Sequence, residues 1–121
     1  MLNNIPRASR AISYSVIADT ENQAETIYTC PANCRAFMSL LYVANANGNT
    51  TVDIEWVRES GTQSLAVLGG KNMTSGEYLK LDGAVIVFEE GDYMTITPSA
   101  NTTPAIHMIV TVEEFFKPKG A

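Results

Sequence analysis

The sequence predicts an all-β domain, an antiparallel sandwich of the jelly-roll kind with eight or nine strands, on three observations. Apolar residues alternate with polar ones at a period of two through several segments. Turn-forming residues recur about every ten positions. No stretch carries the stripe of apolar residues, three and four apart, that a helix needs. Strands this short and this regularly spaced close into two packed sheets.

The elements follow in order. Residues 11–18 place Ile12, Tyr14 and Val16 against Ser13 and Ser15, a half-buried strand. Thr26-Ile27-Tyr28-Thr29 is a short strand rich in β-branched and aromatic residues, closed by Pro31. Residues 35–45 form a longer apolar run that ends at Asn45-Ala46-Asn47-Gly48-Asn49. Val52, Ile54 and Trp56 then share one side of a strand, with Asn47-Gly48 as the tip of an expected hairpin and Trp56 as a core residue. Ser60-Gly61 is a turn, Ser64 to Leu68 a short strand, and Gly69 to Gly76 a loop. Tyr78 to Leu81 ends at Asp82-Gly83, a second hairpin signal, and Ala84 to Phe88 continues as a separate apolar strand. Glu89-Glu90-Gly91-Asp92 is an acidic turn, Tyr93 to Thr97 alternates again up to Pro98, and Ile106 to Phe116 is the closing strand. Its Ile106, Met108, Val110 and Val112 share one face. The long runs 35–45 and 104–116 are expected at the centre, buried on both sides over part of their length.

Composition narrows the function. The 121 residues suit one domain, read as an arm at 1–10, a sandwich at 11–116 and a tail at 117–121. Hydrophobic residues at 45% and charged residues at 17% support a packed core and exclude a disordered chain. A net charge of −5 with eight scattered basic residues excludes a phosphate-reading nucleic-acid surface. No apolar run nears the roughly 20 residues that span a bilayer, and residues 1–7 lack a signal-peptide core, so neither a membrane nor secretion is expected. The sequons at Asn49, Asn72 and Asn101 are read as coincidences of a Thr- and Asn-rich chain.

Candidate chemistry is sparse. His107 is the single histidine, so a zinc site lacks ligands and a triad lacks a recognisable nucleophile. Asp82, Glu89, Glu90 and Asp92 are the candidates for calcium, which takes carboxylate oxygens in flexible geometry; the alternative is a pair of solvated turns. Cys30 and Cys34 leave two readings: a small disulfide stapling a turn, or two reduced, partly buried thiols. Gly69-Gly70-Lys71 lacks the spacing of a phosphate loop. The expectation is a protein without catalysis or cofactor.

Several segments together resemble small β-sandwich virion proteins of tailed bacteriophages. They are Thr26 to Asn33, Leu41-Tyr42-Val43-Ala44-Asn45, Val52 to Val57, Ser75-Gly76-Glu77-Tyr78-Leu79, Val87 to Asp92 and Ile109 to Glu114. The resemblance covers about three quarters of the chain. It implies that the Gly91-Asp92 step turns the chain between core strands and that the last strand carries a terminal acidic residue. It implies a capsid-decoration, neck or tail-associated role in the virion, after synthesis in the host cytoplasm. Cys30 and Cys34 depart from its pattern, where apolar or hydroxyl residues are expected.

The ends suit assembly. Arg7, Arg10, Lys117 and Lys119 are half of the basic residues and flank an acidic body, so they are the expected assembly arms onto a neighbouring subunit. The expected partners are further copies of the chain, a trimer first, and other virion proteins. The alternative is a carbohydrate- or receptor-binding module, with glycan-facing Asn and Thr in loops 45–50, 69–76 and 98–104, Asn72 and Asn101 among them.

Overall fold

The computed structural model describes residues 9–58, 63–99 and 105–116, apart from the side chains of residues 84 and 85. Eight strands occupy them: β1 (Ser9–Ala18), β2 (Glu25–Thr29), β3 (Cys34–Asn45), β4 (Thr50–Val57), β5 (Ser64–Met73), β6 (Tyr78–Phe88), β7 (Tyr93–Ser99) and β8 (Ile106–Phe116). They form two four-stranded antiparallel sheets, β1-β8-β3-β6 and β2-β7-β4-β5. All consecutive strands except β4 and β5 lie in opposite sheets, which is the jelly-roll arrangement.

The alternating apolar residues meet between the sheets. Leu41, Val43, Met108 and Val110 from one layer face Val52, Ile54, Met94 and Ile96 from the other, all buried. A bulge in β2 between Thr26 and Tyr28 turns both Ile27 and Tyr28 into this core, which strict alternation would forbid. Trp56 packs against the core as expected, its ring 6.2 Å from that of Phe88.

Four local expectations are corrected. Asn47-Gly48 is not a hairpin tip, because β3 and β4 belong to different sheets. The segment is a corner, and the buried Asn45 side chain fastens it by donating to the carbonyls of Gly48 and Met73 and accepting from the Asn47 amide. Gly69-Gly70 does not end β5. The ladder shifts register there, Gly70 takes φ +66°, and its amide donates to Asp53 Oδ1 at 2.6 Å. Asp82-Gly83 is likewise a bulge, opposite the shift between Met38 and Leu40, so two expected strands are one continuous β6. With that merger the described residues hold eight strands, within the eight or nine expected. Finally, β3 and β8 are central but buried on one face only, as their alternating burial shows.

Candidate assembly surface

Alternation leaves each sheet an outer face, and the two differ in chemistry. On the outside of β2-β7-β4-β5 the rows join Thr51 to Ser99, Asp53 to Thr97 and Glu55 to Thr95. This is a hydroxyl and carboxylate surface. On the outside of β1-β8-β3-β6 the rows run Ile17–His107–Ala44–Tyr78, Ser15–Ile109–Tyr42–Lys80, Ser13–Thr111–Leu40–Asp82 and Ala11–Glu113–Phe37–Val87. Large apolar side chains reach solvent there: Tyr78 is 65% exposed, Ile17 54%, Phe37 40% and Ile109 37%. Aromatic pairs stiffen both ends of the face, Tyr42–Tyr78 at 5.9 Å and Phe37–Phe115 at 5.2 Å between ring centres. Exposed apolar side chains gathered on one water-facing sheet make this face the candidate contact surface.

The expected site residues fall elsewhere. Of the assembly arms, Arg7, Lys117 and Lys119 lie outside the described residues. Arg10 stands in β1 as the register partner of Glu114, and its Nε donates to Glu114 Oε1 at 2.9 Å. It is therefore engaged within its own chain. The four acidic residues do not converge. Asp82 sits on β6 beside Lys80 Nζ at 3.5 Å, Glu89 pairs with Arg35 at 3.1 Å, and Glu90 accepts the Asn33 amide. Asp92 is buried, where Oδ2 accepts the Glu89 amide and closes the turn; its Oδ1 has no hydrogen-bond partner among the described residues. Among those residues no group of three or more His, Cys, Asp or Glu is placed to hold a metal ion.

Cys30 and Cys34 are buried thiols with no disulfide between them. The Cys30 thiol donates to the carbonyls of Cys34 and Phe88, and burial pushes its pKa up to about 11, so it stays protonated at neutral pH. The Cys30 backbone clamps turn 89–92, donating to the Asp92 carbonyl and accepting from the Gly91 amide. That contact puts the Gly91-Asp92 step between core strands β6 and β7. His107 is exposed on the apolar outer face, paired in register with Ile17 and Ala44. Of the proposed glycan loops, Asn72 lies exposed within β5, and Asn101 lies outside the described residues.

One polar cluster escaped sequence reading. Glu114 is fully buried, and it accepts from Arg10 on one oxygen and from the Tyr28 hydroxyl at 2.7 Å on the other. Burial first, and then this hydrogen bond, raise the Tyr28 pKa well above the usual phenol range. The signal was available: Glu114 continues the inward series Ile106, Met108, Val110, Val112, and a carboxylate at that position requires partners.

No family model and no curated protein sequence matches the chain. Among solved structures, a Bacillus endospore appendage from a family of disulfide-linked pili aligns over 98% of this chain and 96% of its own, at TM-score 0.56 and 14% identity. The Tobacco streak virus coat protein aligns over 99% and 94% at TM-score 0.49 and 9% identity, and a cyanophage Pam1 capsid chain over 98% and 92% at 0.45 and 14%. The appendage match supports at the level of fold what the strand order shows: the chain is an all-β, two-sheet jelly roll.

Proposed function

We propose that the chain is a structural subunit that works by assembling with other copies, a non-enzymatic virion component of the auxiliary capsid, neck or tail-associated kind. The observation that supports it is the contrast between the two outer faces. Both are exposed in a single chain, yet among the described residues β1-β8-β3-β6 presents Ile17, Phe37, Tyr78 and Ile109 to water, whereas β2-β7-β4-β5 presents Leu65 as its one exposed large hydrophobic residue. The appendage of the same fold belongs to disulfide-linked pili; here both cysteines are buried, so subunits associate without covalent links through them.

Light scattering on a sizing column, over a range of concentrations, tests the reading. A discrete oligomer, the trimer being the first expectation, supports it; a monomer at every concentration removes self-assembly. The glycan-binding alternative draws on the hydroxyl face, where Thr51, Thr95, Thr97 and Ser99 stand beside Asp53 and Glu55. Sugar binding seen by calorimetry, and lost in Asn72→Ala, would favour that alternative.

A further inference from the structure

We propose that the outer face of β1-β8-β3-β6 is covered by the same face of a second copy, related by a two-fold axis parallel to the strands. This rests on the assembly reading and names its surface and its symmetry.

Size is the first argument. Four strands about 4.8 Å apart and ten residues long at about 3.4 Å each give a face of about 650 Å² before side-chain relief is counted. A standard protein–protein contact takes about 800 Å² from each partner. One face is thus close to what a stable dimer needs.

Charge is the second. The chain carries −5 overall, which opposes bringing copies together. On this face the repulsion is answered locally: Lys80 sits at 3.5 Å from Asp82, and Arg35 at 3.1 Å from Glu89. Glu113 accepts a hydrogen bond from the Ser9 hydroxyl. The opposite face places Asp53 and Glu55 on one strand, where two copies would set like charges together.

Shape is the third. The β1 column holds the small residues Ala11, Ser13 and Ser15 before ending in Ile17, whereas the β6 edge carries Tyr78, Lys80 and Asp82. A two-fold axis running between β8 and β3 lays β1 of one copy over β6 of the other, with small Ser13 and Ser15 against Asp82 and Lys80 and apolar Ile17 against Tyr78. It lays β8 over β3, bringing Ile109 against Tyr42. Such a contact is self-complementary and closes on itself, so it sets an even number of subunits in place of a trimer.

The test uses the full chain with three variants. Ile109→Arg buries an unpaired charge at the centre of the contact and should raise the dimer dissociation constant roughly tenfold or more. Tyr78→Ser, at the most exposed of these positions, should weaken association in the same direction. Both side chains face water in the single chain, so the circular dichroism spectrum should not change. Ser39→Cys lies exposed on β3 beside the axis and should cross-link to a dimer with a short bis-maleimide, because Cys30 and Cys34 are buried. Even-numbered mass, dissociation by Ile109→Arg and cross-linking through residue 39 support the proposal. An oligomer untouched by Ile109→Arg and Tyr78→Ser, with no cross-link, removes this face and leaves the assembly reading standing. A wild-type monomer at every concentration overturns both.

Discussion

Glu114, Arg10 and Tyr28 stand or fall together, since each satisfies a polar atom of another at the core's edge. Tyr28→Phe keeps the packing but leaves one oxygen of a fully buried carboxylate without its donor, so it should cost about 1–3 kcal/mol in urea unfolding. Arg10→Ala should also destabilise, by less than Tyr28→Phe, because water reaches the Arg10 side and can solvate the carboxylate from there. A second residue-scale prediction concerns pH. Cys30 and Tyr28 hold their protons more tightly folded than unfolded, against ordinary values of 9.0 and 10.0. Their contribution is therefore complete below about pH 9 and fades as the pH rises toward 11, where the unfolded chain gives up its protons first. Urea midpoints at pH 8, 9.5 and 10.5 should fall in that order, and Cys30→Ala should fall less steeply. The inward position of Glu114 was legible from the alternation of β8. Its partners were not, because Arg10 and Tyr28 are brought to it by pairing across 104 and 86 residues of sequence.

At the level of elements, the strands were legible and their connections were not. Asn47-Gly48 and Asp82-Gly83 carry the same turn chemistry, a flexible residue able to take positive φ, yet one turns a corner between sheets and the other bulges a continuous strand. Which of these a turn makes depends on what lies beside the strand. The place next to β3 that β4 would take in a hairpin is held by β8, some 60 positions further on. Local residues contain no record of that competition. The bulges give a direct test. Gly83 holds φ +70°, and nothing lies within 4 Å of where a Cβ would stand, so Gly83→Ala meets only backbone strain and should cost about 1–2 kcal/mol by thermal unfolding. Asp53→Ala removes the acceptor from the Gly70 amide and should destabilise by about 0.5–1.5 kcal/mol, measured the same way.

Across the whole molecule, apolar residues serve two surfaces that sequence alone presents as one. The runs in β3 and β8 read as strands buried on both sides because each carries apolar residues in both of its alternating sets. The structure divides them: Leu41, Val43, Met108 and Val110 go to the core, and Phe37, Tyr42 and Ile109 go to the outside. An excess of hydrophobic residues beyond what one core takes is the readable trace of the exposed apolar face on which the proposed assembly rests. The topology also sets the pace of folding. Seven of the eight described strands have at least one partner that is not their neighbour in sequence, and β1 pairs with β8 from end to end. Refolding should accordingly take milliseconds to seconds in stopped-flow fluorescence of Trp56, slower than a helical domain of equal stability. The β1–β8 pairing has a practical consequence as well. Ser9 lies opposite Phe115, so the entry and exit of the sandwich share one corner. Probes attached at Ser9 and Phe115 would therefore report from the same corner of the domain, and the loss of their proximity would follow the opening of the β1–β8 pairing.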